Sequence, residues 1–368
     1  VLLTLGRLPK ALDLARGFSR AGCRVIVAEP FGWHLAGASR HVARSVRVPA
    51  PRDGKAAYLA AIADVVAREG VDLIVPVSEE TMHVANLAGS APMFTMPPSQ
   101  VLALYDKAGF IRAGEACGVS VPRTHLLGSD EARTLARECD VVVKPVFSCS
   151  GRGVRFLARG ETLPAAFPAV VQARVRGEVQ SSCTIAHDGR AAATVVYRGL
   201  VMSGSVAVSF ERVAEHPAIT RWIERFVAAA RWTGFISFDF IVDGDGEPHG
   251  IECNPRATSG VHFWEPEDAA RAILRADAGP VRFRPQMRLQ QFWSCLTEAQ
   301  MMAFRRDGWT RLKGLLGTRD VTWERRDPLP FLTMPLTSWR IIAQSIRSGA
   351  TFGEVATVDV GWYEDLAA

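Results

Sequence analysis

Lysine is scarce in this chain of 368 residues: only Lys10, Lys55, Lys107, Lys144 and Lys313 occur, so arginine carries most of the positive charge behind the formal net of +5. The arginines are scattered among acids and form no runs, which argues against a nucleic-acid footprint. No nucleic-acid partner is expected. The seven cysteines, from Cys23 to Cys295, include no Cys-x-x-Cys pair. Neither a disulfide framework nor a thiolate zinc site is suggested, and a reducing, cytoplasmic setting is expected. No apolar run approaches the roughly 18 residues that a membrane span needs, and Val1 to Leu5 is too short for a signal peptide's apolar region. No membrane partner is expected either. Only Gly6 precedes Arg7 after the first aliphatic run, so the Gly-x-Gly-x-x-Gly fingerprint of dinucleotide binding is missing, and a nicotinamide oxidoreductase loses its main support.

With 48% hydrophobic residues, the chain can build two or three globular domains. Its first hundred residues alternate aliphatic runs with amphipathic stretches, the pattern of an open parallel α/β sheet. Val1 to Leu5, Val25 to Ala28, Leu73 to Val77 and Met93 to Met96 read as strands, while Leu12, Ala15, Phe18 and then Tyr58, Ile62, Val66 recur at helical spacing. Pro97-Pro98 marks a break. Beyond it Ser99 can cap a helix running to about Cys117, with Gly118 as its stop. A strand, a helix capped by Ser129 and a strand at Val141 to Val146 follow. Val170 to Asn254 reads mainly as strands around one helix from about His216 to Ala230, with Asp188-Gly189 and the Asp243 to Gly246 stretch as hairpin turns. The predicted domains are 1–97, 98–280 with a lid at about 121–175, and a C-terminal extension 281–368. Helical stretches are expected near Thr297 to Phe304 and Leu336 to Ile346.

The most informative segment is the hairpin from Phe235 to Arg256. Strand side chains alternate with period two, so Phe238 and Phe240 share the core face while Ser237 and Asp239 share the other. On the returning strand Glu252 and Asn254 lie on one face, and Ile251 and Cys253 on the opposite one. A turn centred on Asp245 and Gly246 sets Asp239 directly opposite Glu252. Facing carboxylates repel unless a cation lies between them, and a hard divalent ion with oxygen ligands meets that need. Pro255 ends the strand, so Arg256 leaves at the same rim, where it can clamp a phosphoryl group or carboxylate bidentately. A solvated face with scattered charge is the bland alternative. Upstream, Val141 to Val154 reads as a buried strand ending in Lys144 and a small-residue loop. Its amides around Ser150, Gly151 and Gly153 can approach triphosphate oxygens closely, beside the compact charge of Lys144.

The order Asp106-Lys107, then Val-Lys144-Pro with its glycine-rich loop, then Phe-Asp239-Phe, then Glu252-x-Asn254-x-Arg256 resembles the ATP-grasp superfamily over roughly residues 1 to 275. The resemblance implies an N-terminal Rossmann-like open sheet followed by a two-lobed ATP-grasp fold. It also implies that Lys107 and Lys144 hold the α- and β-phosphates and that the loop 148–153 closes over the nucleotide. Asp239, Glu252 and Asn254 would bind two Mg2+ ions, for which Mn2+ can substitute, with Arg256 at the transferred phosphoryl group. The adenine hinge falls at Gln172-Ala173-Arg174-Val175, where family members often carry Glu, an aromatic or Lys, and an aliphatic residue. Glu178 is the nearest acid for the ribose, with Val179 the alternative if the register slips by one.

Arg198 lies on a strand expected to face the cleft and is assigned to acyl-phosphate or carboxylate binding, against the equal alternative of a structural ion pair. Ser259, Gly260 and His262 follow the metal-binding strand and are assigned to substrate; a general-base role for His262 is not required by aminolysis of an acyl phosphate. Glu79-Glu80, after the strand ending at Val77, sits where open α/β sheets bind ligands, but helix N-terminal acids also favour the dipole. The C-terminal region, with Trp339, Ile342 and Ile346 at helical spacing, is expected to cover the substrate side of the cleft or to form a homodimer contact. The expected function is an ADP-forming carboxylate–amine ligase using ATP on two small-molecule substrates. A bicarbonate-activating enzyme and a non-catalytic ATP-binding regulator are the alternatives.

Overall fold

The computed structural model describes all residues except 88, 149–150, 166, 204–205, 296–315, 350–351 and 363–368; side chains at 203 and 352–354 are also outside the description. The N-terminal part is a parallel sheet of order β3-β2-β1-β4, from β1 (Leu2–Leu3), β2 (Ile26–Glu29), β3 (Arg44–Arg47) and β4 (Ile74–Val75). Helices α1 (Pro9–Arg20) and α2 (Lys55–Glu69) connect its strands, and the short α3 (Thr81–Val84) follows the loop after β4. β3 was not expected. Its sequence Arg-Ser-Val-Arg lies at the sheet edge and is largely exposed, so it lacks the aliphatic pattern that marks its neighbours. Met93 to Met96, expected as a strand, contributes one bridge from Met93 to Ile74.

The single helix expected after Pro97 is two: α4 (Pro98–Tyr105) and α5 (Lys107–Ala116). Asp106 breaks the run by taking an extended conformation (φ −62°, ψ 117°) and accepting the amide of Ala108 as an N-cap. α4 begins at Pro98 after Pro97, so Ser99 is not its cap. A small antiparallel sheet follows, ordered β5-β8-β6-β7, from β5 (Thr124–Leu126), β6 (Val141–Pro145), β7 (Arg155–Leu157) and β8 (Ala169–Ala173). α6 (Asp130–Glu138), capped by Ser129, buries Ala132 and Leu135 against Val141, Val143 and Val171.

The large sheet runs β13-β12-β9-β10-β11-β14-β15, from β9 (Glu178–His187), β10 (Arg190–Ser203), β11 (Val206–Arg212), β12 (Gly234–Val242), β13 (Pro248–Asn254), β14 (Arg288–Gln290) and β15 (Arg319–Asp320). Between β9 and β10, Asp188 (φ 43°) and Gly189 (φ 80°) form the left-handed pair of a two-residue hairpin turn. α7 (Pro217–Ala230) covers one face with an aromatic cluster in which Trp222 stacks on Phe226 at 5.4 Å, beside Phe110, Phe238 and Phe240. Burying such rings contributes on the order of 1.5–3 kcal/mol each.

α8 (Pro266–Leu274) packs on α1 so closely that a Cβ on Gly17 would lie 2.1 Å from the Pro266 carbonyl oxygen. One continuous core therefore runs from Leu3, Leu14 and Phe18 of the N-terminal domain to Cys183, Tyr197 and Phe210 of the large sheet. The two units are welded along the edge where the site lies.

At the C-terminal end, α9 (Leu329–Thr337), α10 (Trp339–Ser348) and α11 (Phe352–Thr357) follow. They pack in part on the N-terminal domain, where Met334 meets Leu12 and Leu35 and Ile341 meets Phe31, and in part on the segments around β14 and β15, where Phe331 meets Trp293 and Trp323. Asp327, just before α9, accepts from Arg16 Nε at 2.9 Å and Ser39 Oγ at 2.7 Å. The residue buried from α10 is Ile341, whereas Trp339 and Ile346 are 61% and 76% exposed, because the helix breaks at Ser338 and α10 presents a different face inward. The helix expected at Thr297 to Phe304 lies outside the described residues.

Candidate active site

The β12–β13 register places Asp239 opposite Glu252 and Ser237 opposite Asn254. Asp239 also faces Ser181 of β9, whose hydroxyl donates to Asp239 Oδ1 at 2.6 Å. Asn254 Nδ2 donates to Asp239 Oδ2 at 3.1 Å, and its other amide atom, Oδ1, accepts from Arg256 Nη2 at 3.0 Å. Burial, and then the charge of Glu252, push the Asp239 carboxyl up to about 6.

Two lysines enter the same cleft from the other side. Asp106 breaks the α4–α5 run, so Lys107 opens a helix instead of lying on a solvated face, and its side chain is buried. Lys107 Nζ donates to Ser148 O at 3.0 Å and Ser148 Oγ at 3.1 Å, and lies 3.5 Å from Glu252 Oε1. Lys144, near the end of β6, donates to Gln172 Oε1 at 2.8 Å and Ile251 O at 3.3 Å. Burial, reinforced by Lys107, lowers Lys144 to about 8 despite Glu252. The loop after β6 turns through Gly151 (φ 65°) and Gly153 (φ 75°), and a Cβ on Gly153 would meet Pro145 Cγ at 2.8 Å, so glycine is needed twice over. Ser150 lies outside the described residues.

Several expected site residues are placed differently. The Gln172 side chain is buried and orients Lys144, with its Nε2 donating to Thr124 Oγ1 at 3.1 Å, and its backbone lies within the ladder between β5 and β6. Ala173 and Val175 follow it half-buried, and Glu178 is exposed at the start of β9. Arg198 is drawn to the surface by Glu211, which it meets at 2.8 Å, and lies 3.8 Å from Glu178. That is the ion-pair alternative. Gly260 points into the sheet, where a Cβ would lie 2.5 Å from Cys183 Cβ, and Ser259 beside it is half-buried. His262 is 1% exposed; its Nδ1 lies 2.6 Å from Asp13 Oδ2, and its ring stacks on Phe210. Although burial opposes it, Arg284, 2.8 Å from Asp13, together with His262 holds the Asp13 carboxyl well below its usual range. His262 is thus tied to the N-terminal domain.

The sequence marks Ser148 only as the start of the nucleotide loop, not as a partner of Lys107; it assigns Ser181, Tyr105 and Lys10 no place in the site and leaves Glu79 undecided. Lys10 donates to the Ala257 carbonyl at 2.7 Å, and burial together with Arg256 lowers it to about 7. Its rarity as a lysine was the one available signal.

Among the described residues no group of three or more His, Cys, Asp and Glu side chains gathers as a metal cluster. The donor set is instead two carboxylates and one amide, Asp239, Glu252 and Asn254, all oxygen-bearing and on one sheet face. This suits a hard divalent ion such as Mg2+.

An open parallel sheet welded to a two-lobed α+β unit, with paired lysines facing paired carboxylates, defines a nucleotide-grasping architecture. Residues 104–260 match the ATP-grasp domain family, and the chain carries an ATP-grasp domain behind an N-terminal α/β domain. Solved structures agree. An L-amino acid ligase from Bacillus licheniformis superposes at TM-score 0.55 and 17% identity over 74% of this chain and 69% of that one. An ADP complex of N5-carboxyaminoimidazole ribonucleotide synthetase reaches TM-score 0.62 at 15% identity, covering 83% and 85%. A biotin carboxylase from Campylobacter jejuni reaches 0.57 at 17%, with 70% of this chain spanning 65% of that one. At these identities the likeness establishes the fold. A comparison with curated proteins finds no match.

Proposed function

We propose that this chain is an ADP-forming ligase that activates a small-molecule carboxylate as an acyl phosphate and passes the acyl group to an amine. The observation that carries this reading is the convergence of Lys107, Lys144, Asp239, Glu252, Asn254 and Arg256 on one cleft between the small and large sheets. Binding ATP alone does not call for a pair of facing carboxylates and an arginine clamp. The set matches the needs of terminal phosphoryl transfer, where catalysis is mostly positioning and charge stabilisation.

Lys107 and Lys144 supply donors to the polyphosphate. Asp239, Glu252 and Asn254 would hold Mg2+, which when bound neutralises phosphate charge. Arg256 supplies donors where the γ-phosphoryl group departs. A carboxylate oxygen attacks the γ-phosphorus and the bond to ADP breaks. The amine nitrogen then attacks the acyl carbon, the bond to phosphate breaks, and the amine proton leaves with phosphate or solvent. Mn2+ is expected to replace Mg2+, and the setting is expected to be cytoplasmic; no helix among the described residues is long and apolar enough to cross a membrane.

The test is incubation with MgATP and pooled carboxylic acids plus hydroxylamine. Formation of ADP and a hydroxamate, both dependent on Mg2+, is expected. AMP and pyrophosphate as the products would overturn the mechanism. ADP formed only with bicarbonate would favour the carboxyphosphate alternative.

A further inference from the structure

Arg256 is gripped from outside its own domain. Glu79 follows β4 at the carboxyl edge of the N-terminal sheet and is 1% exposed, and its Oε1 lies 2.5 Å from Arg256 Nη2. Its other oxygen, Oε2, accepts from the Tyr105 hydroxyl at 2.8 Å. Tyr105 ends α4, two residues before Lys107. The adjacent Glu80 acts on the backbone instead, since its carboxylate accepts from Thr4 Oγ1 and from the amides of Val77 and Ser78 and so closes the turn that presents Glu79. A second tie from the same domain is the Lys10 bond to the carbonyl of Ala257, the residue after Arg256.

An acid beside a phosphate-binding arginine can act in opposite ways. It can compete with the phosphate for the guanidinium, or it can hold the guanidinium ready so that less side-chain freedom is lost on binding. Here the carboxylate is buried, sits on a turn locked by Glu80 and is anchored a second time by Tyr105. It reaches Arg256 through Nη2, the nitrogen that Asn254 also engages. Such an acid does not move aside; it fixes a rotamer. We propose that Glu79 is a positioning residue that sets Arg256 for the γ-phosphoryl group, which makes terminal-phosphate recognition depend on the N-terminal domain. This rests on reading Arg256 as the phosphoryl clamp.

The test needs no knowledge of the substrates. Calorimetry on the full chain compares Mg-ADP with the Mg complex of adenylyl imidodiphosphate, an analogue that retains a γ-phosphate, and reads the ratio of the two affinities. Arg256→Ala is expected to lower the preference for the analogue by about tenfold, the scale of one charge-assisted contact. Glu79→Gln, which keeps shape but removes charge, is expected to lower it by roughly threefold or more with ADP affinity unchanged. Tyr105→Phe, which releases one anchor of Glu79, should act in the same direction and more weakly; it decides the matter if Glu79→Gln is not recovered folded. An unchanged ratio in Arg256→Ala overturns the clamp reading itself. A changed ratio there with none in Glu79→Gln and Tyr105→Phe overturns the positioning role alone. Tighter analogue binding in Glu79→Gln would show competition instead, and a parallel loss of both nucleotides would show a general structural role; either result overturns the proposal.

Discussion

Asp239 and Glu252 face each other across the β12–β13 ladder, and Ser181 from the neighbouring strand donates a 2.6 Å hydrogen bond to the first of them. Like charges directly opposite on a sheet are destabilising, so the pair is costly in the absence of a cation. Glu252→Gln removes one charge from this face without touching the aromatic core beneath it. The expected outcome is loss of roughly 100-fold or more in Mg-ATP turnover in a variant that remains folded. Activity within about threefold of the parent would remove Glu252 from the chemistry.

The Asp13–His262 pair leads to the opposite expectation. His262 is 1% exposed and bridges α1 to the segment after β13, with Arg284 completing the buried group. Removing His262 takes one of two partners from the buried Asp13 carboxylate, which Arg284 still holds, and loses the packing of the ring on Phe210, at a cost of about 1–3 kcal/mol. His262→Ala should therefore lower stability to denaturant, while folded protein keeps its nucleotide affinity. A variant with unchanged stability and lost turnover would restore a role in substrate chemistry.

For Arg198 the expected effect is small. Its guanidinium is held at the surface by Glu211, which Arg288 also engages at 2.7 Å. Exposed ion pairs contribute little and are screened by salt. Arg198→Ala should leave turnover within about threefold of the parent. A loss of tenfold or more in steady-state assays would place Arg198 at the substrate.

Legibility followed the range of each interaction. Period-two alternation in Phe235 to Val242 shows that Asp239 lies off the core face, but its pairing with Glu252 depends on a bulge that no alternation signals: near the turn Phe240 pairs with Gly250 and Val242 with Pro248, and the extra residue before Glu252 shifts the ladder to Asp239 opposite Glu252. The caps at Ser129 and His216 are local, and both are visible in the sequence as helix starts. The break at Asp106 is hidden because an aspartate inside an otherwise helical pattern gives no visible stop until its side chain is seen to cap Ala108. Glu79 with Arg256, Asp13 with His262 and Arg16 with Asp327 are pairings between distant parts of the chain, set by how the domains pack. No spacing rule encodes them. Arg198 differs again: strand alternation tells which face a residue takes, but not that Glu211 on the neighbouring strand will capture it.

Its response to pH separates Lys144 from the other cations of the cleft. Its ammonium is lowered from 10.5 to about 8, chiefly by burial, so the free protein begins to lose this charge above pH 8. Phosphate oxygens favour the charged form and must raise the pKa again in the complex. Nucleotide binding above pH 8 is therefore coupled to uptake of a proton. Below pH 8 the lysine is already charged and affinity should be flat on its account. Between pH 8 and the higher value in the complex, Mg-ADP affinity should fall by up to about tenfold per pH unit. Calorimetry at pH 8.5 in buffers of different ionisation enthalpy should detect the proton taken up. Lys144→Gln should bind more weakly at pH 7, by about tenfold or more, and lose both the slope and the proton uptake. If the slope persists in Lys144→Gln, a different group titrates, and Lys10, lowered to about 7 beside Arg256, is the next to replace.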